Sequence, residues 1–557
     1  MLFRNRKTRS TWRELLGDYY SVPLDVAGTA VDIVLGRGET REPKLYPEKI
    51  LRDSRVLELL DSEDVVSTIR MFEKPLSSRV AWRLLYNAYI GRDKEKIKSI
   101  IEVLSSRSIL EYLDGVREEE LGFNPIVYLF SIAAGTRSSS YVVKIARYFE
   151  ECGEDAAVEF SNLSDVLVYS VGLSSSELER VLDYLASYDC SSSPEVARRL
   201  SQLLVFRELR EPELVSRVVE QVGRLSGEEA VEVVYNAIEV LSRLEEERGR
   251  VAREYFDSIT QYSRGVAREL SSLLATIAIS AGVEGVEKLL RVLRGESIRR
   301  TIDSYGELAP AVLRGINYAY VELGGENLPT RFERDLESLW RSRDKVLEVV
   351  ERYKSMSRDV VDEIVCVLSK ILLSLGRAKF EELVDILLKE DTVSLVEALG
   401  DKRSEELQDL VRRVGQLLYL AGGDIAAIYN VLRAIGRVEA RDLHQLALSL
   451  VTISTILRDA GAAPTLVSNY VQKIALLLPR YKGDKLDEVL EWLTNIAIIM
   501  RDSRAPPENF GLILRALESV GVKLVDIVKP EEIVEKALTA KTLREFTSSL
   551  EKLYLGS

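Results

Sequence analysis

Apolar residues in this chain recur at helical spacing, and the helical runs stop about every forty residues. Leu486, Val489, Leu490, Leu493, Ile496 and Met500 place one apolar stripe along one helix face, with Asp487, Glu488 and Glu491 off it. The Val-rich stretch 229–241 keeps the same 3.6-residue period. No sustained two-residue alternation bounded by tight-turn dipeptides occurs, so the reading assigns no strands. The predicted class is all-α.

The interruptions carry the organisation. Breaks fall at Gly91, Gly135, Gly172, Leu209, Gly249, Gly282, Gly324, Gly376, Gly422, Gly461 and Ser503. The clearest pair is residues 456–464 and 499–507, where a shift of 43 superposes Ile456 on Ile499, Arg458 on Arg501, Asp459 on Asp502 and Pro464 on Pro507. Gly461 suits the left-handed residue that ends a helix, and the prolines suit the start of the next. About eleven antiparallel hairpins result. Stacked on their neighbours they form a superhelical array; packed irregularly they form a large helical bundle. The boundaries are a basic arm and linker over 1–46, lead-in helices over 47–74, the hairpin array over 75–522 and capping helices over 523–557. Gly-, Pro- and charge-rich residues 36–49 read as a loop that separates the N-terminal arm from the array.

The helix–Gly–x–x–Pro–helix phrase resembles the HEAT and armadillo class of α-solenoids, which implies a superhelix built for binding. Lines such as residues 450–464 also resemble octotricopeptide-type repeats, which implies RNA binding. The resemblance spans roughly residues 75–522 and is to an architecture.

Composition narrows the function classes. The chain has 557 residues, 76 Lys+Arg against 89 Asp+Glu, and a net charge of −13, which disfavours wholesale nucleic-acid coating. Three cysteines (Cys152, Cys190, Cys366) and one histidine (His444) exclude a disulfide framework and Cys/His zinc clusters. Cys366, on an apolar helix face, reads as inert packing. Gln and Asn are scarce and Arg outnumbers Lys 53 to 23, the balance expected of a thermophile. The longest uncharged runs, Leu121–Thr136, Leu443–Leu457 and Leu270–Val283, fall short of the ~20 apolar residues of a membrane span. They read as buried helices of a cytoplasmic protein.

Enzyme motifs are missing. Gly36-Arg37-Gly38 begins like a dinucleotide loop, but position 41 is Arg and no strand precedes it. There is no phosphate loop and no nucleophile elbow. The reading therefore assigns no catalytic residue, cofactor, metal or small-molecule substrate. Two basic patches are candidate polyanion sites: Arg4, Arg6, Lys7, Arg9 and Arg13 at the N-terminus, and Lys288, Arg291 and Arg294 with Arg299 and Arg300. Against them, residues 151–250 hold 21 acids and 10 bases, which favours a basic protein partner. The expected function is a non-enzymatic scaffold or adaptor binding a protein; the alternative is an RNA-binding repeat protein.

Overall fold

Glycine and proline punctuation becomes helix ends in the computed structural model of the chain. The structure describes residues 2–22, 24–25, 44–116, 118–244, 246–263, 265–324, 327–400, 404–435, 443–477, 480–481, 483–540 and 543–556. Each of the eleven predicted breaks lies at or within a residue or two of a helix terminus or kink. At Gly461 the backbone is left-handed (φ +91°), and the helix that follows opens on Pro464, as the phrase predicts. Gly91 and Gly135 work differently. Each sits in the last turn of its helix, and the left-handed residue is Arg92 or Arg137. A Cβ on Gly91 would collide with the Tyr169 ring, and one on Gly135 with Leu178, so here glycine permits close packing.

The chain divides into two compact units, Met1–Gly295 and Glu296–Ser557. The first begins with α1 (Leu2–Leu16), followed by short helices at Pro47–Ile50, Ser54–Leu60 and Glu63–Arg70. Then come α2 (Leu76–Gly91), α3 (Lys94–Leu104), α4 (Phe130–Thr136), α5 (Ser139–Cys152) and α6 (Glu154–Val166). The unit continues with α7 (Ser175–Ala186), α8 (Ser192–Leu203), α9 (Pro212–Val222), α10 (Gly227–Ser242), α11 (Arg248–Ile259) and α12 (Val266–Leu293). Contacts skip one helix at a time. α4 packs on α6, α6 on α8, α8 on α10 and α10 on α12, while α7 packs on α9 and α9 on α11. α12 is two helices joined at a kink where Gly282 has φ +63°. The N-terminal segment is docked rather than loose: α1 packs on α2 with Trp12 and Leu16 fully buried.

In the second unit the labelled helices are α13 (Ala309–Leu323), α14 (Arg358–Leu375), α15 (Arg377–Leu387), α16 (Glu390–Gly400), α17 (Ser404–Leu420) and α18 (Ile425–Ile435). They continue as α19 (Leu443–Asp459), α20 (Pro464–Leu477), α21 (Asp484–Asp502), α22 (Glu508–Val520) and α23 (Pro530–Thr539). Here α13, α14, α17, α19, α21 and α23 pack each on the next, and a second row runs α15, α18, α20, α22. The stripe predicted on α21 is the buried one: Leu486, Val489, Leu490, Leu493, Ile496 and Met500 are each at most 1 % exposed. Burying such a stripe contributes roughly 1.5–3 kcal/mol per large aliphatic side chain, the term that holds an amphipathic helix in place.

Three expectations change. A two-residue antiparallel ladder pairs Leu24–Asp25 with Lys44–Leu45, too short for any periodicity to announce. The loop expected over 36–49 lies outside the described residues through 43, and its end enters that ladder and the helix at Pro47. Finally, the cysteine count excluded a framework but not a single staple. Cys152, at the end of α5, is disulfide-bonded to Cys190, just before α8, with Cα atoms 4.9 Å apart. Cys366 is fully buried in α14 and lies outside that bridge. No described helix is long and apolar enough to cross a membrane.

Candidate functional site

A cluster of perturbed ionisable groups lies in the first unit, where α2, α4 and α6 meet. α6 carries Asp165 at a position its helical period buries, between Leu163 and Val166, and the carboxyl is 1 % exposed. Two hydroxyls reach it: Tyr86 of α2 donates to Oδ2 at 2.9 Å, and Ser131 of α4 contacts Oδ1. Ser131 Oγ also lies 3.1 Å from Asn87 Oδ1, which accepts from the Tyr169 hydroxyl at 2.7 Å. Tyr169 belongs to a single π turn, Leu167–Val171, that follows α6 directly. Such turns are frequent at functional sites because they re-aim side chains within a helix. Gly91 leaves the space through which the Tyr169 ring crosses α2.

Burial dominates the electrostatics. It pushes the Asp165 carboxyl up to about 6, against the opposing pull of Ser131, Arg83 and Tyr86. Burial, with the Asp165 charge beside it, holds the Tyr86 phenol well above its ordinary range, and burial does the same for Tyr169. Lys96 of α3 is lowered by burial; its ammonium sits 4.8 Å from the Tyr169 ring centre and donates to the Val168 carbonyl. A protonated Asp165 also completes the hydrogen bonding. It donates to Ser131, whose own proton then serves Asn87.

Above this buried chain lies a partly exposed surface. The Arg83 guanidinium sits 5.2 Å from the ring centre of Tyr128, 5.5 Å from Trp82 and 5.9 Å from Tyr86. Trp82 stacks on Tyr86, with centroids 6.2 Å apart and planes 12° apart. Burial, with the hydrogen bond that its hydroxyl donates to Glu154, carries the Tyr128 phenol up to about 12. Among the described residues Arg83 makes no ion pair, while neighbouring Arg79 is tied to Glu118 and to the Tyr19 hydroxyl. One cation over three aromatic faces is a favourable cation–π arrangement and a rigid, amphipathic surface.

The predicted basic patches do not assemble in this way. In α1 the side chains of Arg4 and Arg6 lie outside the described residues, and Lys7 is exposed. Arg9 donates to the Leu51 carbonyl at 2.9 Å, and Arg13 sits 5.1 Å from the Tyr20 ring centre. Lys288 pairs with Glu284 at 2.7 Å, Arg294 with Glu254 at 3.5 Å, and Arg291 donates to the Glu287 carbonyl. Arg299 and Arg300 belong to the second unit, where they pair with Asp303 and Glu296. The acids of these pairs lie mostly one helical turn from their bases.

The second unit has its own buried ions. Glu363 of α14, fully buried, sits 3.6 Å from Arg314 of α13 and 3.3 Å from Arg412 of α17. Lys370, two turns further along the same face of α14, pairs with Glu322 and lies 5.6 Å from the Tyr419 ring centre. These carboxylates are neutralised by their partners, so the cluster locks three helices together. Among the described residues no group of acids, His and Cys is arranged to hold a metal ion. The sequence reading missed Asp165 and its partners. The available signal was a single acid in the otherwise uncharged run 160–176.

Comparison with known families, characterised proteins and solved structures gives no match.

Proposed function

We propose that the chain is a non-enzymatic scaffold of stacked helical hairpins that binds a protein partner, with Trp82, Arg83 and Tyr128 as its anchoring surface. The observation that carries this reading is the Arg83 guanidinium held over three aromatic rings. Trp, Tyr and Arg are enriched among the residues that dominate the binding energy of protein interfaces. The skip-one contacts of α4, α6, α8, α10 and α12 support the stacked arrangement, in which each hairpin chiefly touches its neighbours. RNA binding is the less favoured reading, since Lys288, Arg294, Arg299 and Arg300 are each paired with a carboxylate. The protein works in the cytoplasm of a thermophile. A disulfide between Cys152 and Cys190 fits that setting, because hyperthermophile intracellular proteins are rich in such bridges.

Two measurements test the proposal. Copurification from the native cell, run beside the Arg83→Ala and Trp82→Ala variants, is expected to recover a defined protein with the parent and lose it with both variants at unchanged melting temperature. Equal recovery with the variants refutes the anchoring surface. Filter binding of a generic single-stranded RNA between 50 and 200 mM salt is expected to give weak binding. Affinity falling by orders of magnitude across that range would mean many phosphate contacts and would favour the RNA reading.

A further inference from the structure

The bridge between Cys152 and Cys190 lies at the surface of the first unit: Cys190 is exposed and Cys152 half-buried. Exposed disulfides are the ones that exchange with outside thiols, because the attacking sulfur must reach one of the pair. Cys190 is the sulfur within reach, and Cys152 is then the leaving group. The flanks are acidic. Residues 147–155 and 187–192 hold Glu150, Glu151, Glu154, Asp155 and Asp189 against one base, Arg147. Asp189, next to Cys190, is held down to about 2, first by the Ser191 hydroxyl and then by the N–H and hydroxyl of Ser192. The surroundings of the bridge therefore stay anionic, and they favour a cationic or neutral thiol over an anionic one.

The interval that the bridge closes also supports the Arg83 surface. Glu154, two residues after Cys152, accepts from the Tyr128 hydroxyl. Asp165 accepts from Tyr86, and Tyr169 donates to Asn87. Glu154, Asp165 and Tyr169 all lie between the two cysteines. Tyr86 and Tyr128 face the Arg83 guanidinium, and Asn87 stands one turn along α2 from it. A covalent tie across the interval removes open conformations in which these contacts part, and cutting it restores them.

We propose that the Cys152–Cys190 bridge is a thiol-exchange site, which a small cationic or neutral thiol opens and thereby loosens the support of the Arg83 surface. The first thiolate attacks Cys190 Sγ, the Sγ–Sγ bond breaks, and Cys152 leaves as a thiolate that takes a proton from water. A second thiolate attacks the outer sulfur of the mixed disulfide, and Cys190 leaves and is protonated in turn. Two small thiols are oxidised to one small disulfide, and the bridge gains two electrons and two protons. The consequence for partner binding rests on the anchoring reading above; the exchange chemistry does not.

The test treats the full chain with millimolar cysteamine, 2-mercaptoethanol or 3-mercaptopropionate, then traps thiols with iodoacetamide and follows hydrogen exchange. Cys152 and Cys190 are expected to be alkylated in the folded protein while the buried Cys366 is spared. Relative to their rates on 2-hydroxyethyl disulfide, cysteamine is expected to outpace 3-mercaptopropionate by about threefold or more at low salt, the gap closing near about 1 M salt. After reduction the amides of residues 154–171 are expected to exchange about tenfold faster or more, with those of α21 unchanged. Cys152→Ser is expected to exchange fast without thiol and to show no further response. No alkylation of the folded protein, no preference for the cationic thiol, unchanged exchange over 154–171, or a parent-like response in Cys152→Ser overturns the proposal. If Cys152→Ser does not fold, fast exchange that persists after reoxidation of the parent does so. Copurification repeated after reduction separates the two readings: fast exchange with full partner recovery refutes the anchoring surface and upholds the exchange site.

Discussion

Replacing Asp165 by asparagine tests whether the buried chain in the first unit holds a neutral carboxyl. The group is fully enclosed, and burial pushes its pKa up to about 6, against about 3.9 for a solvated aspartate. The folded state therefore binds this proton more tightly than the unfolded state. The favourable contribution is complete below pH ~4 and is lost as pH rises through ~6. At about 1.4 kcal/mol per pH unit, ionisation costs the fold roughly 3 kcal/mol at pH 7.5. Asparagine keeps the shape: its amide oxygen accepts from Tyr86, its amide nitrogen donates to Ser131, and Ser131 donates to Asn87. Asp165→Asn is thus expected to match the parent near pH 4 and to exceed it by up to about 3 kcal/mol above pH 7. Urea unfolding of both proteins from pH 4 to 8, read as their difference in the transition of the first unit, cancels every other titration. A difference that stays flat with pH would refute the reasoning, as would a variant weaker than the parent at pH 8.

Other outcomes follow from single positions. Gly461→Val places a β-branched side chain at φ +91°, with open space around the new Cβ, so the loss comes from the backbone alone; thermal melts should show about 1–2 kcal/mol of destabilisation. Gly91→Ala drives a methyl group into the Tyr169 ring, and denaturant unfolding is expected to report a loss of about 1–3 kcal/mol. Cys152→Ser opens a loop with a sequence separation of 38, which the chain-entropy relation values at about 4 kcal/mol; an equal drop in the parent on adding reductant would assign the effect to the bridge. Glu363→Leu removes the carboxylate between Arg314 and Arg412, whose guanidiniums keep access to solvent, and should cost about 1–3 kcal/mol in calorimetric unfolding, the loss of hydrogen bonds to a charged group.

The helix ends were legible because their causes are local. A left-handed glycine at 461 and a proline at 464 act on their own backbone, whatever the rest of the chain does. The buried face of α21 was legible for the same reason, since periodicity requires only that something cover it. The Asp165 chain was not. It joins residues 86, 131 and 165, and no pattern in sequence says that a tyrosine, a serine and an acid on three helices will face one another. Nor does a count of three cysteines say which two approach within 4.9 Å. The partners of the basic stripe are local as well: Glu284 stands four residues before Lys288, one helical turn away, and pairs with it at 2.7 Å.

The bond between Cys152 and Cys190 also limits how far the chain can be drawn out. Under tension applied at its two ends, the 38-residue interval that it spans stays slack, so the fully stretched molecule is about 130 Å shorter than the same polypeptide after reduction. Pull on the intact protein, and α6 and α7 bear no load once their surroundings have given way; the tie carries it past them. Whatever this molecule is anchored to, that stretch is the part a stretching force reaches only after a covalent bond has been cut.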